Sequence, residues 1–297
     1  IPFLVIYLIQ ILDTTIRGRK DIEDNLSVPF LGDIPQYSGE KQRGSFVVRE
    51  NGRDPVSEAF RMIRSNMNFM NLGKSEIKVI MVTSSNPHAG KTFVSTNLAM
   101  TFATTGKKVV IMDLDLRRRT FSKQMGHGGD TNGVSSYLSG STGLQAIIRK
   151  SKLSENLDII YAGIQPPNPS EMLLSQRMEE LIAELKLHYD YIIIDSTPAM
   201  AVADAIITDR LADLSIYVVR EGLLDRRQLP DIERLYREKK FHNMAIILNG
   251  ASSTKRHGYG YGYGYGYGYG LDEEETTTKK GFWGKLCEWT RNKFQKK

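Results

Sequence analysis

Short apolar runs alternate with longer stretches whose apolar residues recur at helical spacing, from residue 77 to about residue 250. The runs predict strands at residues 78–83, 108–112, 157–162, 191–194, 214–219 and 244–248, and the stretches between them predict helices at 170–187, 201–211 and 228–239. Strands that are apolar along almost their whole length are buried on both faces. The pattern therefore predicts an α/β fold, a parallel sheet flanked by helices on both faces.

The first predicted strand leads into a loop that is typical of nucleotide-binding proteins. Residues 83–92 read Thr-Ser-Ser-Asn-Pro-His-Ala-Gly-Lys-Thr, and a predicted helix opens at Gly90. Backbone amides at a helix N-terminus attract phosphate, Lys91 would reach the outer phosphates, and the Thr92 hydroxyl would bind Mg²⁺. Ser85 stands where the full P-loop pattern has glycine, so a plain helix N-terminus with a surface lysine is the alternative. We predict that this loop binds a nucleotide.

Acidic residues follow two other predicted strands directly. Asp113 and Asp115 come after the run that ends at residue 112, and Asp195 comes after the run that ends at residue 194. Ligands bind beyond the carboxyl ends of the strands in such a sheet, so these carboxylates should lie beside the phosphate loop. A buried carboxylate needs a cation or a hydroxyl as its partner; the alternative is that one or two of them cap the following turn. Asn249, after the last strand, is predicted to reach the adenine.

The segment from residue 1 to residue 12 is almost wholly apolar, and Arg17, Arg19 and Lys20 follow it. Such a run is too short to cross a bilayer, which needs about 20 residues. We therefore expect residues 1–20 to be the cytoplasmic end of a transmembrane helix with its basic flank, which places the rest of the chain on the cytoplasmic side of the inner membrane. A buried core segment or a signal-peptide remnant is the alternative. Residues 21–53 contain many turn formers and are predicted to be a linker.

A helix is predicted to begin at Asp54 and Pro55, residues suited to an N-cap and to a first helical turn. Glu58, Arg61 and Arg64 recur along it at intervals of three residues and form a charged stripe. A solvated helix face is the ordinary explanation of such a stripe. An interface with another subunit is the alternative.

The C-terminal part of the chain has a different character. Residues 257–271 contain a repeated Gly-Tyr pattern, which is typical of a flexible low-complexity segment. Residues 272–297 begin with an acidic block and end in a basic stretch with aromatic residues, which suits either an amphipathic helix on a membrane or a disordered tail. The net charge of +6 collects near the two ends, which favours an anionic membrane surface over nucleic acid. The single cysteine, Cys287, excludes an internal disulfide and fits a reducing cytoplasm.

Taken together, these features resemble the bacterial tyrosine kinases (BY-kinases) that are fused to, or partnered with, membrane polysaccharide co-polymerases. The resemblance covers nearly the whole chain. It rests on the expected end of a transmembrane helix, the segment 28–35, the helix that carries Glu58, Arg61 and Arg64, three Walker-type motifs and the tyrosine cluster. It implies a P-loop NTPase-like kinase domain at residues 54–256 that uses ATP and Mg²⁺. It also implies a homo-oligomeric ring in which each subunit phosphorylates the tail of a neighbour and so regulates exopolysaccharide or capsule polymerisation and export.

The resemblance also implies a role for individual residues. The catalytic residues would be Lys91, Asp113, Asp115 and Asp195, with Asp113 accepting or orienting the phenolic proton and Lys91 neutralising the transferring phosphoryl group. Mg²⁺ would be held by Thr92, Asp115 and Asp195. ATP would be bound by Pro87, His88, Ala89, Gly90, Lys91, Thr92 and Phe93. The ring interface would contain Glu58, Arg61 and Arg64. The phosphorylated residues would be Tyr259, Tyr261, Tyr263, Tyr265, Tyr267 and Tyr269. The polysaccharide export machinery and a tyrosine phosphatase would be further partners.

Two positions differ from the family pattern, and two other functions compete with the kinase. His88 stands where the family loop has glycine, and Ser196 and Thr197 separate Asp195 from the following proline. A partitioning or scaffold ATPase is one competitor, but such proteins carry a signature lysine where this chain has Asn86. A regulator in which ATP binding assembles a ring without significant phosphorylation is the other. ATP-dependent labelling of the tail separates both from the kinase.

Overall fold

The computed structural model describes residues 14–37, 46–70 and 76–252, and these ranges fold around one sheet. The strands are β1 (Phe30–Pro35), β2 (Val79–Ser84), β3 (Val109–Asp113), β4 (Ile148–Lys150), β5 (Leu157–Ile160), β6 (Tyr191–Asp195), β7 (Leu214–Arg220) and β8 (Met244–Ala251). The helices are α1 (Arg19–Glu23), α2 (Pro55–Met70), α3 (Lys91–Ala103), α4 (Thr120–Gln124), α5 (Val134–Leu138), α6 (Leu144–Ile147), α7 (Pro169–Leu174), α8 (Gln176–His188), α9 (Asp204–Asp209) and α10 (Leu229–Arg237), with a 3₁₀ turn at Arg226–Gln228.

The strands follow the order β1-β8-β7-β2-β6-β3-β5-β4 across the sheet. Neighbouring strands are parallel except β4 and β5, which are antiparallel. Each strand predicted from an apolar run is present, so the predicted parallel sheet is confirmed. β2 leads into the predicted nucleotide loop, residues 83–92. β2 lies directly beside β6, and β6 lies beside β3. The sheet order therefore brings the two acid-bearing strands next to each other and next to the loop.

Helices cover both faces of the sheet, so both sides of each central strand are buried. In β2, Val79 and Met81 pack in one apolar cluster with residues of α8 and α10. Ile80 and Val82 pack in a second cluster with residues of α2 and α3. Alternate residues of a strand face opposite sides of a sheet. Burial on both sides is the reason that the sequence shows continuous apolar runs at these strands.

Helix α2 begins where the sequence predicts. The Asp54 carboxylate accepts hydrogen bonds from the backbone N–H groups of Val56 and Ser57, at 3.1 and 3.0 Å, and Pro55 is the first helical residue. A side-chain cap of this kind stabilises a helix by roughly 0.5–2 kcal/mol. Phe60, on the inner face of the helix, is fully buried in the core.

Part of the predicted linker at 21–53 belongs to the sheet instead. Residues 30–35 form β1, an edge strand that pairs in parallel with β8. Gly32 and Pro35 are turn formers, but an edge strand tolerates them because one of its sides needs no ladder hydrogen bonds. The preceding chain is also packed into the domain, since Ile16 and Ile22 are fully buried.

The helix predicted at 170–187 is divided into α7 and α8. Ser175 lies between them with an extended backbone, at φ −66° and ψ 151°. Its hydroxyl donates to the Met172 carbonyl at 2.6 Å. A serine side chain that bonds the local backbone competes with helical hydrogen bonding, which explains the break.

Within the ranges that the structure describes, no helix is long and apolar enough to span a membrane. The expected membrane segment overlaps the described residues only from residue 14 onward, and residues 1–13 lie outside them. The tyrosine cluster at 257–271 and the tail at 272–297 also lie outside the described residues.

Candidate nucleotide and magnesium site

The predicted nucleotide loop joins β2 to α3 at the carboxyl end of the sheet. Gly90, directly before α3, has φ +96°, a left-handed conformation that favours glycine. A Cβ atom at this position would lie 2.1 Å from Nδ2 of Asn249. That amide donates to the Ala89 carbonyl at 2.9 Å, so Asn249 holds the loop from the end of β8. The contact with adenine that the sequence suggests for Asn249 stays a prediction.

Asp195 connects the end of β6 to the first turn of α3. Its Oδ2 accepts a hydrogen bond from Thr92 Oγ1 at 2.7 Å, and its Oδ1 accepts one from Ser95 Oγ at 3.1 Å. Burial raises the pKa of Asp195 to about 6, although the hydrogen bond from Thr92 and the charge of Lys91 oppose the shift. A cation bound here would stabilise the charged carboxylate.

Asp113 lies beside Asp195, because the two residues are register partners of β3 and β6. It has no exposed surface. Its Oδ2 accepts hydrogen bonds from the N–H and the hydroxyl of Ser122 at 2.9 and 2.6 Å, and its Oδ1 accepts one from the Asp115 N–H at 3.1 Å. Burial, and next the nearby Asp195 carboxylate, raises the pKa of Asp113 to about 7, while the hydrogen bonds from Ser122 oppose the shift.

Asp115 is held within its own turn. Its Oδ1 accepts a hydrogen bond from the Arg118 N–H at 2.9 Å, and its Oδ2 accepts one from the Thr120 hydroxyl at 3.3 Å. These bonds stabilise the turn. The negative charge of the Asp115 carboxylate also stabilises the charged form of Lys91. Burial lowers the pKa of Lys91, while the charges of Asp195 and Asp115 raise it in part. Lys91 forms no ion pair with any residue in the described ranges.

The donor set suits magnesium bound together with a nucleotide. Thr92 supplies a hydroxyl, and Asp115 and Asp195 supply carboxylates. Both carboxylates lie close enough to Lys91 for their charges to raise its pKa. Among the described residues, no group of three His, Cys, Asp or Glu side chains could hold a metal by itself. Mg²⁺ at nucleotide sites takes one or two carboxylates, waters and phosphate oxygens instead of an all-protein cage. The residues present therefore fit Mg²⁺ bound with a phosphate ligand.

Comparison with known proteins assigns the family. Residues 77–219 match the family model described as "AAA domain". The chain is 33% identical over 221 residues to the tyrosine-protein kinase YwqD of Bacillus subtilis, and the match covers 74% of this chain and 92% of that protein. The chain belongs to the bacterial tyrosine-protein kinase family. Both the predicted enzyme class and the P-loop NTPase-like fold are confirmed.

Two other relatives agree with the assignment. The chain is 36% identical over 214 residues to the putative tyrosine-protein kinase in the cps region of Klebsiella pneumoniae, which covers 71% of this chain and 29% of that longer protein. The solved kinase domain of the Escherichia coli tyrosine kinase ETK matches with a TM-score of 0.67 and 31% identity, over 82% of this chain and 98% of that domain. The chain thus spans less than a third of the Klebsiella protein.

The nucleotide loop of this tyrosine kinase keeps a left-handed backbone without the glycine of the family pattern. His88 has φ +65°, and histidine is one of the few residues enriched in that conformation. The His88 carbonyl accepts a hydrogen bond from the Arg220 guanidinium at 3.3 Å. Asn86 donates from its side chain to Gln228 at 3.1 Å. Residues at and after the end of β7 therefore support the outer part of the loop.

The charged stripe of this kinase contacts its own chain, away from the acids. Arg61 pairs with Glu58 and donates to the Gly52 carbonyl at 2.5 Å. Arg64 donates to the Thr101 carbonyl of α3 at 2.8 Å. The Glu58 side chain is 54% exposed, so part of the stripe is available to another molecule.

Two features near the acids were not predicted from the sequence. Ser122 binds Asp113 and also accepts a hydrogen bond from the Ala162 N–H at 3.0 Å, which links β3 to β5. No local pattern marks this serine. Arg117 forms an ion pair with Asp204. Its position two residues after Asp115 of the Asp-x-Asp motif is a signal that could have drawn attention to it.

Proposed function

We propose that this kinase transfers the γ-phosphoryl group of ATP, with Mg²⁺, to tail tyrosines of a neighbouring copy. The observation that carries the proposal is the 2.7 Å hydrogen bond from Thr92 in the loop to Asp195 at the end of β6. It brings together a hydroxyl and a carboxylate of the kind that hold Mg²⁺ in P-loop sites, next to the loop lysine. The proposed acceptors are Tyr259, Tyr261, Tyr263, Tyr265, Tyr267 and Tyr269.

Phosphoryl transfer depends on positioning and charge neutralisation more than on covalent chemistry. Lys91, at the N-terminus of α3, would neutralise the transferring group, and its burial reduces the screening of that interaction by solvent. Thr92, Asp115 and Asp195 would hold Mg²⁺ directly or through water. The bound ion neutralises negative charge on the phosphate oxygens. The backbone amides of residues 87–93 would surround the phosphates.

Asp113 is the proposed acceptor of the phenolic proton. A tyrosine hydroxyl has a free pKa near 10, so a carboxylate that takes its proton as the bond forms aids the reaction. The pKa of Asp113, raised to about 7 by burial, suits proton uptake near neutral pH. Because Asp113 has no exposed surface and its Oδ2 is bonded to Ser122, direct contact with an acceptor requires the residues around Asp113 to move. Asp115, which is 5% exposed, is the alternative base.

The proposed ring interface lies on α2, at Glu58, Arg61 and Arg64. Support comes from the exposure of Glu58 and from Met62, an apolar side chain that is 65% exposed between the two arginines. Protein interfaces combine exposed apolar side chains, methionine among them, with a charged rim. The bonds of Arg61 and Arg64 to their own chain would then fix the shape of this surface before assembly.

The tail suits an acceptor that reaches a neighbouring subunit. The repeated glycines predict a backbone that would fit a narrow cleft, and the low-complexity sequence predicts a chain that would reach a neighbouring copy. The Klebsiella relative is named for a cps region, which supports a role in regulating exopolysaccharide or capsule polymerisation and export. We place this activity at the inner membrane, attached through the N-terminal segment, with the export machinery and a tyrosine phosphatase as partners.

The test is to incubate the purified 297-residue chain with Mg²⁺ and ATP and to map the products by intact mass and peptide sequencing. We expect phosphate on the tail tyrosines, and none in Lys91→Met. Lys107→Met, an exposed lysine beyond the other end of α3, is the matched control and should leave phosphorylation unchanged. ATP hydrolysis without phosphotyrosine would instead support an ATPase switch or scaffold, and full phosphorylation of Lys91→Met would reject the role of the loop.

A further inference from the structure

Arg117 is the centre of a charged cluster outside the nucleotide loop. It lies in the turn after β3, where its Nε donates to Oδ2 of Asp204 at 2.6 Å and its Nη2 donates to Oδ1 at 3.1 Å. Nη2 also donates to Ser170 Oγ at 2.8 Å, and that hydroxyl donates to Oδ1 of Asp204 at 2.6 Å. We call these three residues the arginine clamp. Paired guanidinium–carboxylate bonds fix geometry as well as contribute energy.

Asp204 is the buried member of the arginine clamp. Its side chain is 2% exposed, whereas that of Arg117 is 40% exposed. Burial raises the pKa of Asp204, but the hydrogen bonds from Arg117 and Ser170 outweigh it, so the pKa lies below its usual value. The carboxylate is therefore charged at neutral pH, and a buried charge of this kind depends strongly on its partner.

The arginine clamp joins the chain segments that follow three neighbouring strands, β6, β3 and β5. Arg117 follows β3, Asp204 opens α9 in the segment after β6, and Ser170 lies in the first turn of α7 after β5. The segment after β6 is itself attached to the end of β2, where the Ala199 N–H donates to the Ser84 carbonyl at 2.8 Å. The clamp thus connects the turn that contains Asp115 to the segment that follows Asp195.

We propose that the arginine clamp is a positioning device for the kinase reaction, which sets the distance between the carboxylates of Asp115 and Asp195. This inference rests on the proposed function, in which both acids hold Mg²⁺. The side-chain hydrogen bonds of Asp115 lie within its own turn. The Leu114 N–H donates to the Asp195 carbonyl at 2.9 Å and attaches the start of this turn to β6, and Arg117 attaches its other end to Asp204. Arg117 acts through Asp115 and is therefore a positioning residue. A displacement of about 1 Å in a reacting site can cost about 100-fold in rate.

The test measures binding of a fluorescent ADP analogue to the full chain, with increasing Mg²⁺ and with EDTA. We expect Arg117→Ala to raise the Mg²⁺ concentration for half-maximal binding by roughly 10- to 100-fold, the usual effect of removing a residue that supports a metal ligand. Binding in EDTA should stay within about twofold of wild type, because the nucleotide loop is intact. Arg117→Lys should restore part of the Mg²⁺ response, since lysine keeps the charge but not the paired bonds.

Arg210→Ala is the matched control. Arg210 follows α9, pairs with Glu179 and donates to the Leu173 carbonyl of α7 at 3.0 Å, so it joins the same helices away from the acids. It should lower thermal stability without changing the Mg²⁺ response. Should Arg117→Ala not fold, Asp204→Asn tests the same clamp with the side-chain size kept, and the same loss of Mg²⁺ response is expected.

Two results would overturn the inference in different ways. An unchanged Mg²⁺ response in a folded clamp variant, with only a lower melting temperature, would show that the clamp is structural and would leave the proposed function standing. Wild-type nucleotide binding that does not respond to Mg²⁺ would reject the proposed function and the inference together.

Discussion

The buried carboxylate of Asp113 should make the stability of the nucleotide-free protein fall as the pH rises. Its pKa is raised from 3.8 to about 7, first by burial and next by Asp195, so the folded state holds the proton more tightly than the unfolded chain does. The group therefore favours folding at low pH, and this contribution is lost between about pH 4 and about pH 7. Asp113→Asn keeps the size of the side chain and removes its charge.

The magnitude follows from the raised pKa. One pKa unit corresponds to about 1.4 kcal/mol. Relative to acidic pH, the difference between the folded and unfolded pKa of Asp113 therefore lowers the free energy of unfolding by about 4 kcal/mol at pH 8 and by about 2 kcal/mol at pH 5. Wild type should therefore lose about 2–3 kcal/mol relative to Asp113→Asn between these pH values. The variant also loses the hydrogen-bond geometry of Ser122, which adds a constant offset and leaves the pH dependence unaffected.

Urea unfolding followed by far-ultraviolet circular dichroism, in EDTA and at several pH values, measures this difference. Asp204→Asn is the control. The pKa of Asp204 lies below 3.8. The stabilising contribution of Asp204 is fully present above that pH and is lost only at more acidic pH. The free energy of unfolding of Asp204→Asn, plotted against pH, should therefore run parallel to that of wild type from pH 5 to 8. Parallel curves for wild type and Asp113→Asn over the same range would refute the reasoning.

Three further predictions concern the loop and the α2 surface. Gly90→Ala should abolish nucleotide binding and destabilise the fold by roughly 2–4 kcal/mol. The new methyl group would strain a left-handed backbone and displace the Asn249 amide that holds the loop. Nucleotide-binding and urea titrations test this. His88→Gly should stabilise the protein by up to about 1 kcal/mol, because it relieves a left-handed non-glycine residue, as a melting curve would show. Arg61→Ala combined with Arg64→Ala should yield monomers with weak phosphorylation between subunits, measured by sedimentation.

Each of these predictions has a control in the same chain. Gly106→Ala, at φ +78° with no atom within 4 Å of the new Cβ, should cost stability but not nucleotide binding, and equal losses of binding at both glycines would contradict the role of the loop. Lys239→Gly relieves a left-handed residue at φ +52° after the end of α10, outside the loop, and should stabilise the protein to a similar extent as His88→Gly does. Glu58→Ala removes an ion pair with Arg61 that contributes roughly 0.3–0.5 kcal/mol, so this variant should keep nearly its full stability. Loss of assembly in this variant would support an interface on α2. Unchanged sedimentation in all of these variants would contradict that interface.

Much of the local structure is predictable because the relevant signals lie within a few residues of each other. The Asp54 cap and the start of α2 follow from an N-cap residue and a proline in sequence. The strand, loop and helix of the predicted nucleotide loop follow from an apolar run, a glycine and a lysine in order. β1 was not predicted, because the turn formers Gly32 and Pro35 are tolerated in it only through its place at the edge of the sheet.

The chemistry of the site divides in the same way. The sequence by itself determined which acids end buried strands, since continuous apolar runs directly precede Asp113 and Asp195. Only the tertiary structure decided that these two carboxylates are register partners, because strand order depends on hydrogen bonds between segments far apart in the chain. The Arg117–Asp204 pair depends on the same long-range order. A pattern with a period of two or 3.6 residues specifies which face of an element is buried, but it carries no information about which element lies next to it.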